Sequence, residues 1–217
     1  MPHVTTTLPP YDALVIGAGL VGSAAALTLV QQGLKVAVIE PQAFAPYSPT
    51  AGDAYDLRVS AIAPHAQRLL TRLGVWSRLP ATRVLPYTQM QVWDAHGGRL
   101  QFDTSHTPAL PALGYLLENR LLLDALQQQL QAQGVTVIHA ALTQLDTATG
   151  TVQLDNGECH RAELLVAADG GASPTRQLAS MSATQRSYAQ RGVVANIRTH
   201  QAHGHTARQW FGEDGSV

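Results

Sequence analysis

Three glycines stand in the spacing G-x-G-x-x-G within the stretch VIGAGLVGSA, namely Gly17, Gly19 and Gly22. An apolar run typical of a strand precedes them, and residues 20–32, which follow, are typical of a helix that ends at Gly33. Between a strand and a helix, the first glycine permits a tight turn and the second leaves room for a pyrophosphate. The third lets the helix approach the strand. The pattern therefore predicts a dinucleotide site.

The residues around this loop indicate which nucleotide it would bind. The N–H groups of the first helical turn, which includes Leu20 and Val21, favour an anion at the positive end of the helix dipole. Glu40 stands at the end of the next predicted strand, where a carboxylate accepts hydrogen bonds from an adenosine ribose. The same carboxylate repels a 2′-phosphate, so we expect FAD or NAD rather than NADP. Packing of small residues without a ligand is the alternative.

A second loop of small and polar residues, AADGGASPTR, follows another apolar strand. Asp169, Gly170 and Arg176 offer a ribose acceptor, a close backbone approach and a phosphate partner. Ser173 and the proline after it also predict an ordinary helix N-terminus, with the serine as N-cap. The two interpretations are compatible, and both remain open at this point.

Composition limits the classes of protein to which this chain can belong. Of its 217 residues, 45% are hydrophobic and 13% are charged, which favours a folded domain with a large core over disorder. The net charge of −1 predicts no nucleic-acid partner. The single cysteine, Cys159, excludes an internal disulfide and suits a reducing compartment. Residues 13–30 are apolar but contain three glycines, so we interpret them as a buried strand and helix rather than a membrane span.

The order of the predicted elements indicates an α/β fold. A strand, a helix and a second strand fit within one βαβ unit near the N-terminus. We expect a parallel sheet that contains strands at residues 12–16, 35–39 and 164–168. Residues 84–117 contain a hairpin signal, MQVWD and RLQFD on either side of AHGG, and we interpret them as part of an inserted β lobe. Further strands are predicted between Gly192 and Phe211.

The second loop resembles the D-G motif of flavoprotein aromatic hydroxylases, the para-hydroxybenzoate hydroxylase-like family. Asp169, Gly170, Ser173 and Arg176 match that motif, although an alanine replaces the glycine often found before the acid. The stretches DLRVSAI, LLTRLGVW, GYLLENRLLLDAL and YAQRGVVANI resemble most the ubiquinone-biosynthesis hydroxylases (UbiH/UbiF/UbiI-like) within that family. The resemblance extends over residues 11–211.

The resemblance implies a Rossmann-like FAD/NAD(P)-binding domain with an inserted β-rich substrate lobe. It implies FAD as cofactor, NAD(P)H as co-substrate, and hydroxylation of a prenylated phenol by O2. In such folds the strand before the D-G loop lies near the first strand, so the loop returns to the same cofactor as the glycine loop. The resemblance implies that the D-G loop serves both FAD and NAD(P)H. A hydroxylase of a soluble aromatic acid, and a non-catalytic nucleotide-binding fragment or interaction module, are the alternatives.

Two further residues are implied in FAD binding by the resemblance alone. Arg58 stands where the family has an arginine near the flavin and its pyrophosphate, and a surface salt bridge is the alternative. Asn119 stands where relatives place a polar side chain against FAD, although Asn119 and Arg120 also suit a helix N-terminus. No catalytic base is assigned.

The resemblance also implies a longer protein, since the family's third FAD motif, a G-D pair, has no match here. We therefore expect the fold to be truncated before its C-terminal part. The expected division is a FAD-binding domain, the start of a β lobe, more of the FAD-binding domain, and more of the lobe, at residues 11–82, 83–117, 118–181 and 182–217. A cytoplasmic location is expected. Peripheral association with the inner membrane or with a ubiquinone-synthesis complex is left open, as is the oligomeric state.

Three histidines, His200, His203 and His205, have a spacing that invites comparison with metal sites. No fourth ligand or acidic partner stands near them in the sequence. We interpret them as solvated hairpin residues and predict no metal site.

Overall fold

The computed structural model describes residues 11–50, 52–106, 109–213 and 215–217. In chain order the strands are β1 (Tyr11–Ile16), β2 (Val36–Ile39), β3 (Val59–Ile62), β4 (Leu85–Tyr87), β5 (Gln89–Asp94), β6 (Arg99–Asp103), β7 (Gly114–Glu118), β8 (Thr136–Ile138), β9 (Leu142–Asp146), β10 (Thr151–Leu154), β11 (Cys159–Ala167), β12 (Thr206–Gly212) and β13 (Gly215–Ser216). The α-helices are α1 (Leu20–Gln31), α2 (Pro64–Arg72), α3 (Asn119–Ala132) and α4 (Pro174–Leu178).

The chain forms two compact units. Unit 1 comprises Met1–Tyr47, Leu73–Val75 and Leu122–Arg191, and unit 2 comprises Ser48–Arg72, Trp76–Leu121 and Gly192–Val217. These units are defined by contacts within the chain. The assignment of FAD binding and substrate binding to the four predicted segments therefore stays a prediction.

Unit 1 contains a six-stranded sheet in the order β8-β2-β1-β11-β10-β9. Its central strands are parallel, with Ile16 of β1 opposite Ile39 of β2 on one side and Ala167 of β11 on the other. The predicted α/β fold, with strands 12–16, 35–39 and 164–168 in one parallel sheet, is confirmed. Strand β11 begins five residues earlier than predicted, at Cys159, because its first half pairs antiparallel with β10.

Strand β2 is buried along its whole length, and strand β1 is buried from Ala13 to Ile16. Ala13, Leu14 and Val15 of β1 are fully inaccessible to solvent, and all four residues of β2 are buried. A parallel strand that is covered on both faces has a continuous run of apolar residues in its sequence. The apolar stretch at residues 13–30 is therefore a core strand followed by helix α1. The longest described helix, α3, has 14 residues, and no helix in the described ranges is long and apolar enough to cross a bilayer.

Unit 2 is built mainly from two small sheets, in the orders β13-β12-β5-β6 and β3-β7-β4. The predicted hairpin is confirmed, since β5 and β6 pair antiparallel with Val92 opposite Leu100. Helix α2 of this unit begins at Pro64.

The prediction of strands from Gly192 to Phe211 is wrong for most of that segment. Only β12 forms there, from Thr206 onward, and residues 192–205 adopt no strand. Val193 and Ile197 are 94% and 81% exposed. A strand needs a neighbour to pair its backbone N–H and C=O groups, and the described residues provide none to this segment.

Candidate functional site

The two loops that the sequence separates by about 150 residues are in contact at Gly17. Gly17 follows β1 with a φ of +100°, which a residue with a side chain rarely adopts. A Cβ at this position would lie 2.6 Å from the carbonyl oxygen of Ala168. The N–H of Ala168 in turn donates to the carbonyl of Ile16 at 2.8 Å. Glycine is thus required at position 17 both by the turn and by the approach of the second loop.

Gly22 allows helix α1 to approach the end of β1. A Cβ here would overlap the carbonyl oxygen of Gly17 and lie 3.1 Å from the Cβ of Ala168. Any side chain at position 22 would push the helix away from the loop, and this accounts for the third glycine of the motif by packing within the protein.

Gly19 differs from the other two glycines, because no contact among the described residues requires it. Its φ of −70° suits any residue, and no described heavy atom lies within 4 Å of the position of an added Cβ. The space beside the start of α1 is therefore kept open by the absence of a side chain. This is the open space that a pyrophosphate would need.

The N-terminus of α1 provides hydrogen-bond donors at the same place. Gly19 is the N-cap residue and, among the described residues, has no side-chain cap, nor does the first turn contain an acidic residue. An α-helix leaves its first N–H groups without intrahelical acceptors, here those of Leu20, Val21 and Gly22. Together with the helix dipole, these donors make the open space suitable for an anion.

The carboxylate of Glu40 lies at the edge of the glycine loop and is held in position by it. Its Oε2 accepts the N–H of Ala18 at 2.8 Å, and its Oε1 accepts the N–H of Gln42 at 3.1 Å. Each carboxylate oxygen can accept a second hydrogen bond. The side chain can therefore support the loop and still accept hydroxyl groups of a ligand.

A pocket of about 230 Å³ lies between the two loops. Its polar lining comes from Glu40 and Asp169, and its apolar lining includes Pro41, Ala141 and Leu142. The pocket lies beyond the carboxyl ends of β1, β2 and β11. Strand β1 has β2 and β8 on one side and β11 on the other, so the strand order reverses at this point. Open α/β sheets bind ligands at such a switch point.

The D-G loop is held together by its own acid. The carboxylate of Asp169 accepts the hydroxyl of Ser173 and, at 2.8 Å, the N–H of Thr175. Partial burial acts to raise the pKa of Asp169, but the hydrogen bonds that its carboxylate accepts have a larger, opposite effect. The pKa of Asp169 therefore lies below that of an ordinary aspartate. Ser173 accepts the N–H of Arg176 at 3.0 Å and is the N-cap of α4, as the sequence predicted.

Arg176 and Gly170 occupy the outer part of the same loop. One guanidinium nitrogen of Arg176 donates to the carbonyl of Gly171 at 2.8 Å, and Gly170 has a φ of +91° with no described atom near an added Cβ. A second pocket of about 370 Å³ is lined by both residues and by Asp169. The expected contacts of these three residues with ribose and phosphate stay predictions.

Arg58 and Asn119, which are 61 positions apart, are neighbours in unit 2. The N–H of Asn119 donates to the carbonyl of Arg58 at 2.9 Å, and the hydroxyl of Ser60 donates to Oδ1 of Asn119 at 2.6 Å. Strands β3 and β7 bring them together by antiparallel pairing. Asn119 begins α3, as its interpretation as a helix start suggested. No ion pair of Arg58 occurs among the described residues, and its contact with FAD stays a prediction.

Sequence analysis missed a buried ion pair in unit 2. Arg83 and Glu118 lie 3.1 Å apart, with side chains only 2% and 1% exposed. No local pattern in the sequence marks either residue, because they are 35 positions apart. The antiparallel pairing of β4 with β7 brings them together.

The histidines of unit 2 have structural neighbours. Nδ1 of His205 lies 2.9 Å from the carbonyl of Pro86, and Nδ1 of His203 accepts the N–H of His205 at 3.1 Å. Among the described residues, no three His, Cys, Asp or Glu side chains are grouped as metal ligands.

The model of the FAD binding domain matches residues 10–216, which is nearly the whole chain. The chain belongs to the FAD-binding domain family. FAD is therefore the dinucleotide expected at the two loops.

Curated relatives of this FAD-binding domain are hydroxylases or monooxygenases by name. It is 35% identical to the 3-demethoxyubiquinol 3-hydroxylase of Escherichia coli over 96% of the chain and 54% of that protein. It is 33% identical to the ubiquinone hydroxylase UbiL of Rhodospirillum rubrum over 92% of the chain and 46% of that protein. The chain thus spans about half the length of the curated relatives it matches.

Solved structures show the same fold at lower identity. PqsL from P. aeruginosa, in complex with 2-aminobenzoylacetate, has a TM-score of 0.64 at 21% identity, over 83% of this chain and 48% of that one. The tetrameric form of 2-methyl-3-hydroxypyridine-5-carboxylic acid oxygenase has a TM-score of 0.64 at 20% identity, over 97% of this chain and 53% of that one. These likenesses establish the fold of the FAD-binding domain.

Proposed function

We propose that this chain binds the ADP half of FAD in an aromatic-ring hydroxylase of ubiquinone biosynthesis. The observation that carries the proposal is the open space at Gly19, beside the N-terminus of α1. Neither its backbone conformation nor packing against the described residues accounts for a glycine at this position.

The pyrophosphate of FAD would be held by the glycine loop. The N–H groups of Leu20, Val21 and Gly22 would donate to its oxygens, and the helix dipole would favour its charge. The absence of a side chain at Gly19 lets the phosphates approach the backbone.

The adenosine of FAD would be held by Glu40 and the pocket between the loops. The ribose hydroxyls would donate to the carboxylate of Glu40, which its bonds to Ala18 and Gln42 keep in place. Pro41, Ala141 and Leu142 would supply apolar contacts for the adenine ring. A 2′-phosphate would meet the negative charge of Glu40, which favours FAD over NADP.

Other residues would serve the rest of the cofactor. Arg58 and Asn119 would contact FAD. Asp169, Gly170 and Arg176 would contact FAD and the incoming NAD(P)H. When bound, FAD supplies the redox chemistry, taking electrons from NAD(P)H and activating O2. The chain's own residues bind and orient the cofactor, and none of them is assigned a proton-transfer role.

The substrate would be a prenylated phenol. The names of the E. coli and R. rubrum relatives support this class. A prenylated phenol partitions into the bilayer, so we also propose peripheral association with the inner membrane. Flotation with phospholipid vesicles that contain a prenylated phenol, compared with vesicles that lack it, tests that association.

Titration of the chain with FAD tests the proposed site. We expect Gly19→Val to abolish measurable binding, because its branched side chain occupies the open space beside α1. Gly192→Val is the matched control, since Gly192 also has no described atom near an added Cβ but lies far from α1 in the chain. Equal FAD affinity of the wild type and Gly19→Val would contradict the site.

Product analysis tests the proposed reaction. A chain extended to the length of the curated relatives is supplied with NADPH, FAD and either a prenylated phenol or a soluble aromatic acid. We expect mass spectrometry to show a hydroxylated product only from the prenylated phenol. A product only from the soluble acid would assign the protein to the alternative class of hydroxylase.

A further inference from the structure

We propose that the buried pair Arg83–Glu118 positions Arg58 for the cofactor by ordering the loop that precedes it. The inference rests on the proposed function, since it takes Arg58 as a residue that contacts FAD. All the contacts that support it lie within unit 2.

The pair is buried to a degree that is unusual for charged side chains. Nη1 of Arg83 lies 3.1 Å from Oε2 and 3.3 Å from Oε1 of Glu118. Removing two charges from water is costly, and an apolar pair of similar volume is often as stable. Stability alone is therefore a weak reason for this pair, so its other contacts are informative.

Arg83 binds the backbone of the loop at residues 50 and 52–56. Its Nη2 donates to the carbonyl oxygens of Thr50 at 2.6 Å and Asp53 at 2.8 Å. The ring of Tyr55 lies 4.5 Å from the guanidinium carbon. A planar guanidinium can donate in several fixed directions at once, which a lysine ammonium cannot reproduce.

Glu118 connects this arrangement to Arg58. Its Oε1 accepts the N–H of Asp56 at 2.7 Å, and Oδ1 of Asp56 lies 3.4 Å from the N–H of Arg58. Glu118 is also the last residue of β7, directly before Asn119, whose N–H donates to the carbonyl of Arg58. The ion pair therefore anchors the backbone on both sides of Arg58.

A double variant, Arg83→Met with Glu118→Leu, removes both charges and leaves neither one buried alone. We expect cooperative thermal unfolding to be retained, because apolar replacements fill the same space. Amide hydrogen exchange at Asp56 should become faster, because its acceptor, the carboxylate of Glu118, is lost. Exchange at Arg58 should also become faster, because its acceptor is the side chain of Asp56, whose backbone is no longer held. Arg99→Met is the control, as it removes an exposed arginine from a strand of the same unit.

FAD titration of the 217-residue chain then measures the coupling to Arg58. We expect the double variant and Arg58→Ala each to raise the Kd for FAD about tenfold, and the triple variant to add no more than about twofold. A merely structural pair would weaken binding additively with Arg58→Ala. Arg83→Lys keeps the charge, so its Kd for FAD should lie between those of the wild type and the double variant. This single variant replaces the double variant in the test if the double variant does not fold.

The outcomes separate this inference from the proposed function. If the wild type and Arg58→Ala differ in FAD affinity but the variants at Arg83 and Glu118 match the wild type, the inference is overturned and the proposed function stands. Additive effects of the double variant and Arg58→Ala overturn it in the same way. A folded wild-type chain that does not bind FAD overturns the proposed function, and the inference with it.

Discussion

The carboxylate of Glu40 accepts the backbone N–H of Ala18 at 2.8 Å, so the residue at the end of β2 supports the loop at the end of β1. Ala18 lies between Gly17 and Gly19, in the centre of the glycine motif. The residue expected to bind the ribose therefore also fixes the backbone expected to bind the pyrophosphate. Substitutions at position 40 should affect both.

Glu40→Ala and Glu40→Gln should weaken FAD binding to different extents. Glu40→Ala removes the support of Ala18 and the ribose acceptor, and we expect a loss of about 1–3 kcal/mol. Glu40→Gln keeps an oxygen that can accept the N–H of Ala18, so its loss should be smaller. Calorimetric titration with FAD measures both. Unchanged affinity in Glu40→Ala would contradict the assigned role.

Gly17→Ala and Gly19→Ala should separate stability from binding. Gly17→Ala combines a positive φ with a clash against the carbonyl of Ala168, and we expect the free energy of unfolding to fall by about 1–3 kcal/mol or more. In Gly19→Ala the added Cβ meets no described atom, so the free energy of unfolding should change by less than about 0.5 kcal/mol. Urea denaturation measures both variants. A large destabilisation in Gly19→Ala would show that this glycine serves packing instead of a ligand.

The D-G loop should lose stability in acid through Asp169. Its pKa is lowered in the folded state by hydrogen bonds from Ser173 and Thr175, so its contribution is complete above the ordinary aspartate pKa. That contribution is lost as the pH falls through the lowered value. We therefore expect Asp169→Asn to be less stable than the wild type at neutral pH, and the difference to shrink in acid. Urea denaturation from pH 7 to about pH 3 measures it. A difference that does not change with pH would contradict this account.

The 217-residue chain alone should bind FAD weakly and should not hydroxylate a phenol. The residues proposed here hold mainly the ADP half, and the sequence has no match to the family's G-D motif. A reactive group that is not held within a fraction of an ångström of its target gains little from binding. NADPH consumption and product formation with added FAD measure the activity. Substrate-dependent hydroxylation by a monodisperse sample would contradict the expectation.

The sequence determined the parallel sheet and the position of the glycine loop. Strand, turn and helix are encoded locally there, by apolar runs and by glycines whose spacing has a steric cause. The hairpin of β5 and β6 and the N-cap at Ser173 were predictable for the same reason. Each depends on neighbours in the chain, not on distant residues.

The strands predicted between Gly192 and Phe211 show where local patterns fail. Val193, Val194 and Ile197 have the residue types of a strand, yet they are exposed and form none. Strand formation depends on a neighbouring strand as much as on residue type, and the identity of that neighbour is not encoded in the segment.

Only the tertiary structure showed what each glycine of the motif meets. The motif predicted different roles for the three glycines, and the structure shows that Gly17 and Gly22 are required by contacts around Ala168, whereas Gly19 borders open space. Likewise, Arg83 and Glu118 carry no signal in the sequence, and the pairing of strands buried them together beside the loop to Arg58. Contacts between residues far apart in the chain depend on the register of the sheets, because register decides which side chains meet.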